Sequence, residues 1–310
     1  MTPVSRSVLE AIGNTPLVEL HRVVPPGAAR LFVKLESVNP TGSYKDRMAQ
    51  AMIEGAERRG DLKPGMRVLE YTGGSTGSSL AMICAVKGYS FTPVCSDAFA
   101  REKLATMRAF GGELTLVPSE GGRITSALFD AMKAETAKQA AMPGVFYTNQ
   151  FHNDDALDGY AAVGREILSQ IEVSPDAFCA AVGTAGMLVG VSRALKKAGA
   201  NTRIVALEPA ESPFLSTGQG GAHRVEGIGT GFWPPHLKPD DYDETRTISE
   251  VDARHMARRL ASEEGILAGT SSGLNVVAAI RLAVELGPKA SVVTLFCDSG
   301  FKYLSGDLFA

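Results

Sequence analysis

The sequence predicts an α/β protein built from two doubly wound, mainly parallel sheets. Three observations lead there. Short apolar runs alternate with amphipathic stretches of helical length. Glycine- and serine-rich turns stand where a run hands over to such a stretch. The chain has 310 residues with 45% hydrophobic content, enough core for two domains or one large one.

The runs Arg30 to Glu36, Arg67 to Thr72, Phe91 to Ser96, Glu113 to Pro118, Ala177 to Gly183, Arg203 to Pro209 and Ser291 to Cys297 read as buried strands. Between them, helical patterns run over Lys45 to Arg59, Ser75 to Lys87, Ala98 to Phe110, Ile124 to Gln139, Gly159 to Ile171, Gly186 to Ala198, Asp252 to Glu264 and Gly273 to Glu285. Strand, helix, strand at this spacing implies parallel pairing with helices on both faces. The turn "SVNPTGS" and the stretch Met142 to Asp155 read as junctions. They divide the chain into 1–39 with 149–310, a larger part, and 40–148, a smaller mobile part.

Several function classes are excluded. A formal net charge of -3 without a long basic run gives no electrostatic case for nucleic acid or an anionic membrane. The N-terminus has no apolar signal core, and the Phe178 to Val191 stretch is too short and glycine-rich to span a bilayer. Cys84, Cys95, Cys179 and Cys297 lie far apart without metal-ligand spacing, so they read as small buried hydrophobes and no metal is expected. The expectation is a cytoplasmic protein with reduced thiols. The nucleotide-binding motifs G-x-x-x-x-G-K-[S/T] and G-x-G-x-x-G with an acidic partner are both absent.

Three turns remain: Thr72 to Gly77, Gly183 to Met187 and Gly269 to Gly273, read as following strands and opening helices. Glycine lets several backbone N–H groups converge, and a helix N-terminus favours anions. Each turn is a carboxylate or phosphate cradle, or a plain strand-to-helix connection with a hydroxyl cap. Beside them stands Lys45, between a Gly/Ser turn and a helix start in "NPTGSYKDR". A lysine held there, partly desolvated and close to helix-end dipoles, is set up as an amine nucleophile. Asp46 and Arg47 read as structural partners of its helix. His152 reads as a loop histidine or a contact to the substrate, and Trp233 as a packing anchor or part of the substrate entrance.

These motifs resemble, in order along nearly the whole chain, the cysteine synthase / cystathionine β-synthase family of pyridoxal-phosphate (PLP) enzymes, fold type II, nearest its O-acetylserine sulfhydrylases. "IGNTPLVEL", "NPTGSYKDR", "TGGSTG", "NQFHNDD", "GTAGM", "EGIGTGF", "EEGILAGTSSG" and "CDSGFKYLS" carry the likeness. The resemblance implies that Lys45 forms the Schiff base with PLP and then acts as base at Cα. It implies that Gly183, Thr184, Ala185, Gly186 and Met187 wrap the cofactor phosphate. Ser271, with Ser272 as its competitor, would face the pyridine nitrogen. A hydroxyl there leaves that nitrogen unprotonated, which suits β-elimination and β-replacement. Thr72, Gly73, Ser75, Thr76 and Gln150 would bind the substrate α-carboxylate or line its approach.

The sequence departs from the family pattern in both loops. Ala185 and Met187 replace a glycine and a hydroxyl residue of the phosphate loop, which removes one phosphate hydrogen bond. Gly73 and Ser75 replace the serine and asparagine of the carboxylate loop, and Ser75, being shorter than that asparagine, would contact the cofactor's phenolic oxygen through water. The implied reaction is β-replacement on an O-acetylserine-like substrate by sulfide through an α-aminoacrylate, in a homodimer without an appended regulatory domain. The alternatives are a β-eliminating desulfhydrase or ammonia-lyase, and a non-catalytic PLP- or partner-binding paralogue.

Overall fold

The computed structural model describes residues 4–122 and 125–310. The first three residues of the N-terminal stretch and Ile124, the expected start of the fourth helix, lie outside them. The elements in chain order are β1 (Leu17–Leu20), β2 (Arg30–Lys34), α1 (Lys45–Arg59), β3 (Arg67–Tyr71), α2 (Ser75–Lys87), β4 (Ser90–Ser96), α3 (Arg101–Ala109), β5 (Thr115–Val117), α4 (Ser126–Ala140) and β6 (Val145–Tyr147). They continue with α5 (Asp155–Gln170), β7 (Ala177–Ala181), α6 (Gly186–Lys197), β8 (Arg203–Pro209), α7 (Phe214–Thr217), β9 (Glu244–Ile248), α8 (Glu250–Glu263), α9 (Thr270–Leu286) and β10 (Ser291–Leu295). Among the described residues, no helix is long and apolar enough to cross a membrane.

Contacts divide the chain into two compact units. The first comprises Met1–Ile12 and Lys45–Gly159. Its sheet has the strand order β5-β4-β3-β6, with every pairing parallel. Val68 and Leu69 of β3 and Val94 and Cys95 of β4 are fully buried. Apolar residues at successive positions, on both faces of the pleat, are what a parallel strand covered on both sides requires. β6 falls inside the stretch read as a junction, where it pairs with β3 and completes this sheet.

The second unit comprises Gly13–Tyr44 and Tyr160–Ala310. Its sheet has the order β1-β2-β10-β7-β8-β9, parallel except where β1 pairs antiparallel with β2. Leu31, Val33, Cys179, Val205, Leu207 and Val292 pack with Leu274 and Leu282 of α9 into its main core. Asn275 ties α9 to the sheet. Its Oδ1 accepts from the Ala181 N–H at 2.8 Å and its Nδ2 donates to the Leu295 carbonyl at 2.9 Å.

The seven expected strands form, and β1, β6 and β9 are additions. β1 and β6 are too short for their periodicity to register, at four and three residues. β9 escapes for another reason. It is an edge strand whose Glu244 and Arg246 face solvent, held by Arg203 and Glu285 in ion pairs of 2.5–2.6 Å. Charges on an edge strand block pairing with other chains, and they also mask the β pattern.

Two expectations are corrected. The turn from Gly269 follows no strand: Ala268 makes one isolated bridge to Ser299. Helix α9 also starts at Thr270, so Ser271 and Ser272 lie in its first turn. Gly269 as N-cap begins the helix before the apolar periodicity does.

Gly273 lets α9 approach α8 closely. A Cβ there would stand 2.1 Å from the Ala253 carbonyl oxygen, and backbone cannot swing aside. Gly273→Ala is therefore expected to destabilise the second unit by about 1–3 kcal/mol, read as a lower denaturation midpoint in urea. An unchanged midpoint would mean that the two helices separate freely.

Candidate active site

In the first unit, β3 ends at Tyr71 and the chain turns through Thr72, Gly73 and Gly74 into α2. The Thr72 hydroxyl accepts from the Gly74 N–H at 3.2 Å, which fixes the bend. Gly73 has no room for a side chain: a Cβ would lie 2.3–2.5 Å from three ring atoms of Phe99. That ring fills the space a serine would need, which is a physical reason for the departure at this position. Across Gly74 the nearest side chain is that of Lys103, a buried lysine of α3.

Thr76, in the first turn of α2, donates its hydroxyl to Gln150 Oε1 at 2.8 Å. Four of the expected carboxylate-site residues thus form one continuous turn, and Gln150 joins them through Thr76. Gln150 Nε2 donates to the Tyr71 carbonyl at 3.2 Å. Lys45 is the first residue of α1 and is buried. The next residue, Asp46, accepts from the Ser79 hydroxyl of α2 at 2.6 Å. The anchor of the lysine's helix therefore reaches the helix that carries the carboxylate turn.

Glu70 was not singled out in the sequence. An acid between Leu69 and Tyr71 in an apolar strand was the available signal. Its side chain is fully buried and accepts from the Thr148 hydroxyl at 2.6 Å and the Gln150 N–H at 3.0 Å. Burial pushes its carboxyl up to about 7, against the lowering effect of these hydrogen bonds. Its charge adds to the burial that raises the Tyr71 and Tyr147 hydroxyls beyond their usual range.

His152 is exposed and its Nδ1 lies 3.0 Å from Asn149 Oδ1. It lines an open groove of about 390 Å³ with Arg59, Tyr147 and Asp155, to which neither Gln150 nor the carboxylate turn contributes. Trp233 donates to the Leu237 carbonyl at 2.9 Å, a local anchor.

In the second unit, β7 hands over to α6 through Val182 to Ala185. No backbone hydrogen bond engages the N–H groups of Gly183, Thr184 or Ala185 among the described residues. Gly183 is required by close approach, since a Cβ would stand 2.3 Å from the Gly227 carbonyl oxygen. Ala185 is the N-cap of α6 at φ 65°, in the left-handed region. A glycine would adopt that conformation without strain, and alanine costs about 1–2 kcal/mol. The alanine is accommodated because the helix start over-determines its backbone. Met187 is buried in the first turn of α6.

The hydroxyls near α9 divide cleanly. Ser272 Oγ accepts from the Cys297 N–H at 2.9 Å and is fully buried. Ser271 and Thr184 are also buried, yet among the described residues their hydroxyls bond to nothing in the chain.

A family model described as pyridoxal-phosphate dependent enzyme matches residues 8–298. The chain belongs to that family. It is an enzyme whose cofactor is PLP. It is 42% identical over 309 residues to a cysteine synthase of Staphylococcus aureus, covering 98% of this chain and 97% of that one. Among solved structures it resembles an O-ureido-L-serine synthase, with TM-score 0.91 and 37% identity over 99% of this chain and 96% of that one. It resembles an O-acetylserine sulfhydrylase of Entamoeba histolytica equally well, with TM-score 0.91 and 36% identity over 99% of this chain and 92% of that one.

The second unit's residues fit PLP. Three unengaged N–H groups at the start of α6 suit the phosphate of this family's cofactor. The hydroxyls of Thr184 and Ser271, which make no bond among the described residues, can meet polar groups of the cofactor, and the glycine at 183 keeps the cradle open.

The buried carboxyl of the first unit sets a pH test. Glu70 titrates near 7 in the folded chain against an ordinary value of 4.5, so folding takes up a proton between those limits. Its contribution is most favourable below 4.5 and is lost as pH rises through 7. The span is on the order of 3 kcal/mol. Glu70→Gln, which cannot ionise, should gain stability relative to wild type as pH rises from about 4.5 to 7. Parallel pH profiles of urea unfolding would show that the carboxyl is not desolvated.

Proposed function

We propose that the enzyme replaces the β-substituent of an L-serine derivative such as O-acetylserine with sulfide or another small nucleophile. The products are cysteine or an analogue and the departing carboxylate. The observation that carries this reading is the Thr72 to Thr76 turn with Gln150, a cradle for an amino-acid carboxylate in the unit that carries Lys45. Full-length likeness to cysteine synthases supports it, as does likeness to structures whose names specify O-acetylserine and O-ureido-L-serine.

Bound PLP supplies the electron sink that acidifies the substrate Cα–H. The Lys45 amine would hold the cofactor and, once the substrate is bound, would serve as the base that takes the Cα proton. Ser75 and the N–H groups at the start of α2 would bind and orient the α-carboxylate, with Gln150 lining its approach and holding that turn through Thr76. Gly183, Thr184, Ala185, Gly186 and Met187 hold the phosphate at the start of α6. The Ser271 hydroxyl would serve the pyridine nitrogen. Because a hydroxyl does not keep that nitrogen charged, loss of a β-leaving group is favoured over transfer of the amino group. Assembly as a homodimer in the cytoplasm belongs to the same proposal, and sedimentation of the purified chain tests its first part.

Purified protein should show a visible cofactor band that shifts when O-acetylserine is added. The band should return when sulfide is added, with cysteine formed. Lys45→Ala should reduce turnover by about a thousandfold or more while PLP still binds. Pyruvate and ammonia as the main products with sulfide present would replace this reading by β-elimination. Absence of any band after incubation with PLP would overturn it.

A further inference from the structure

We propose that Glu70 is a positioning residue for the substrate carboxylate, acting through Gln150. The proposal rests on the assignment of Gln150 to the carboxylate cradle. Glu70 sits one residue from the end of β3, immediately before the turn that begins at Thr72. From there one fully buried carboxylate reaches the segment that follows β6. Its Oε2 accepts from the Thr148 hydroxyl at 2.6 Å and from the Gln150 N–H at 3.0 Å. Its Oε1 lies 3.4 Å from Gln150 Nε2. The residue between those two partners, Asn149, has φ 49°, so the segment kinks where Glu70 clasps it.

In its ionised form Glu70 offers only acceptors, and this determines which way the Gln150 amide faces. With Nε2 directed at Glu70 Oε1 and the Tyr71 carbonyl, Oε1 must face Thr76, whose hydroxyl donates to it at 2.8 Å. The opposite orientation would set the amide oxygen against two acceptors. One buried side chain therefore fixes the Gln150 amide, both of whose N–H groups bond within the chain. Through its oxygen the amide holds the Thr76 side chain and with it the first turn of α2, whose N–H groups would meet the substrate carboxylate. A carboxylate buried here is costly to desolvate. Its charge helps to keep the Tyr71 and Tyr147 hydroxyls neutral.

Glu70→Gln keeps the shape but sets an NH₂ group against the Gln150 amide or against the Thr148 and Gln150 donors. The probe is L-alanine, which carries the α-carboxylate and no leaving group. It is titrated into holoenzyme and followed by the absorption of the bound cofactor. Its Kd should rise about tenfold in Glu70→Gln. KM for O-acetylserine should rise in parallel, kcat should change much less, and the affinity for PLP should stay the same. In a Gln150→Ala background the same change should have almost no further effect, because the two residues act as one unit.

Should Glu70→Gln fail to fold, Thr148→Val removes the shortest of the Glu70 bonds and should weaken L-alanine about threefold. Unchanged Kd and KM in a folded Glu70→Gln or Thr148→Val, or additive effects with Gln150→Ala, would overturn the positioning role. Wild-type holoenzyme that fails to respond to L-alanine and turns over no O-acetylserine would instead sink the functional reading on which the role rests.

Discussion

A parallel strand that passes straight into a helix leaves backbone N–H groups at its carboxyl end with no partner in the chain. The candidate site depends on this constraint. In the second unit it appears at the end of β7, where the N–H groups of Gly183, Thr184 and Ala185 are unengaged as α6 begins. In the first unit β3 hands over to α2 in the same way, and the turn is shaped by the Thr72 hydroxyl. Each sheet thus concentrates donors at one edge, where an anion is the natural occupant.

Holding those edges in shape requires polar groups in the interior, and Asn275, Lys34 and Glu70 are among those with partners. Asn275 bonds to both β7 and β10 and so keeps the first turn of α9, with Ser271, at the sheet edge. Lys34 is fully buried and lies 2.7 Å from a Glu166 carboxylate oxygen, with Gln170 as a further acceptor. Glu70 is the costlier case, because neutral donors rather than a cation surround it. Its hydrogen bonds offset only part of the desolvation, which is why its carboxyl rises to about 7. A group kept in place against that cost is best explained by the geometry it imposes on Gln150.

The departures from the family pattern have local physical reasons. Gly73 is matched by Phe99, whose ring occupies the volume of the usual side chain. Ala185 keeps the left-handed backbone that the start of α6 demands, so the replacement costs strain but leaves the direction of the neighbouring N–H groups intact. Met187 adds apolar burial to the first turn of α6 in place of the hydroxyl residue of the family pattern.

Much of the protein was legible in the sequence alone. Apolar runs with glycine at their carboxyl ends determine buried parallel strands, because such a strand is covered on both faces and must release its chain abruptly. The segment around Lys45 and the order of the motifs determine the family. Other features depended on the tertiary structure. β9 is a strand because its backbone pairs with β8, and Arg203 and Glu285, distant in sequence, meet its charges. Ser271 and Ser272 are indistinguishable neighbours until the Cys297 N–H engages one of them. Glu70 in a strand of apolar neighbours signals only an anomaly. Its task emerges when residues 78 and 80 positions away in the chain converge on its two oxygens. Local sequence specifies which groups a backbone can present. Which of them remain unpaired is decided by what folding brings against them.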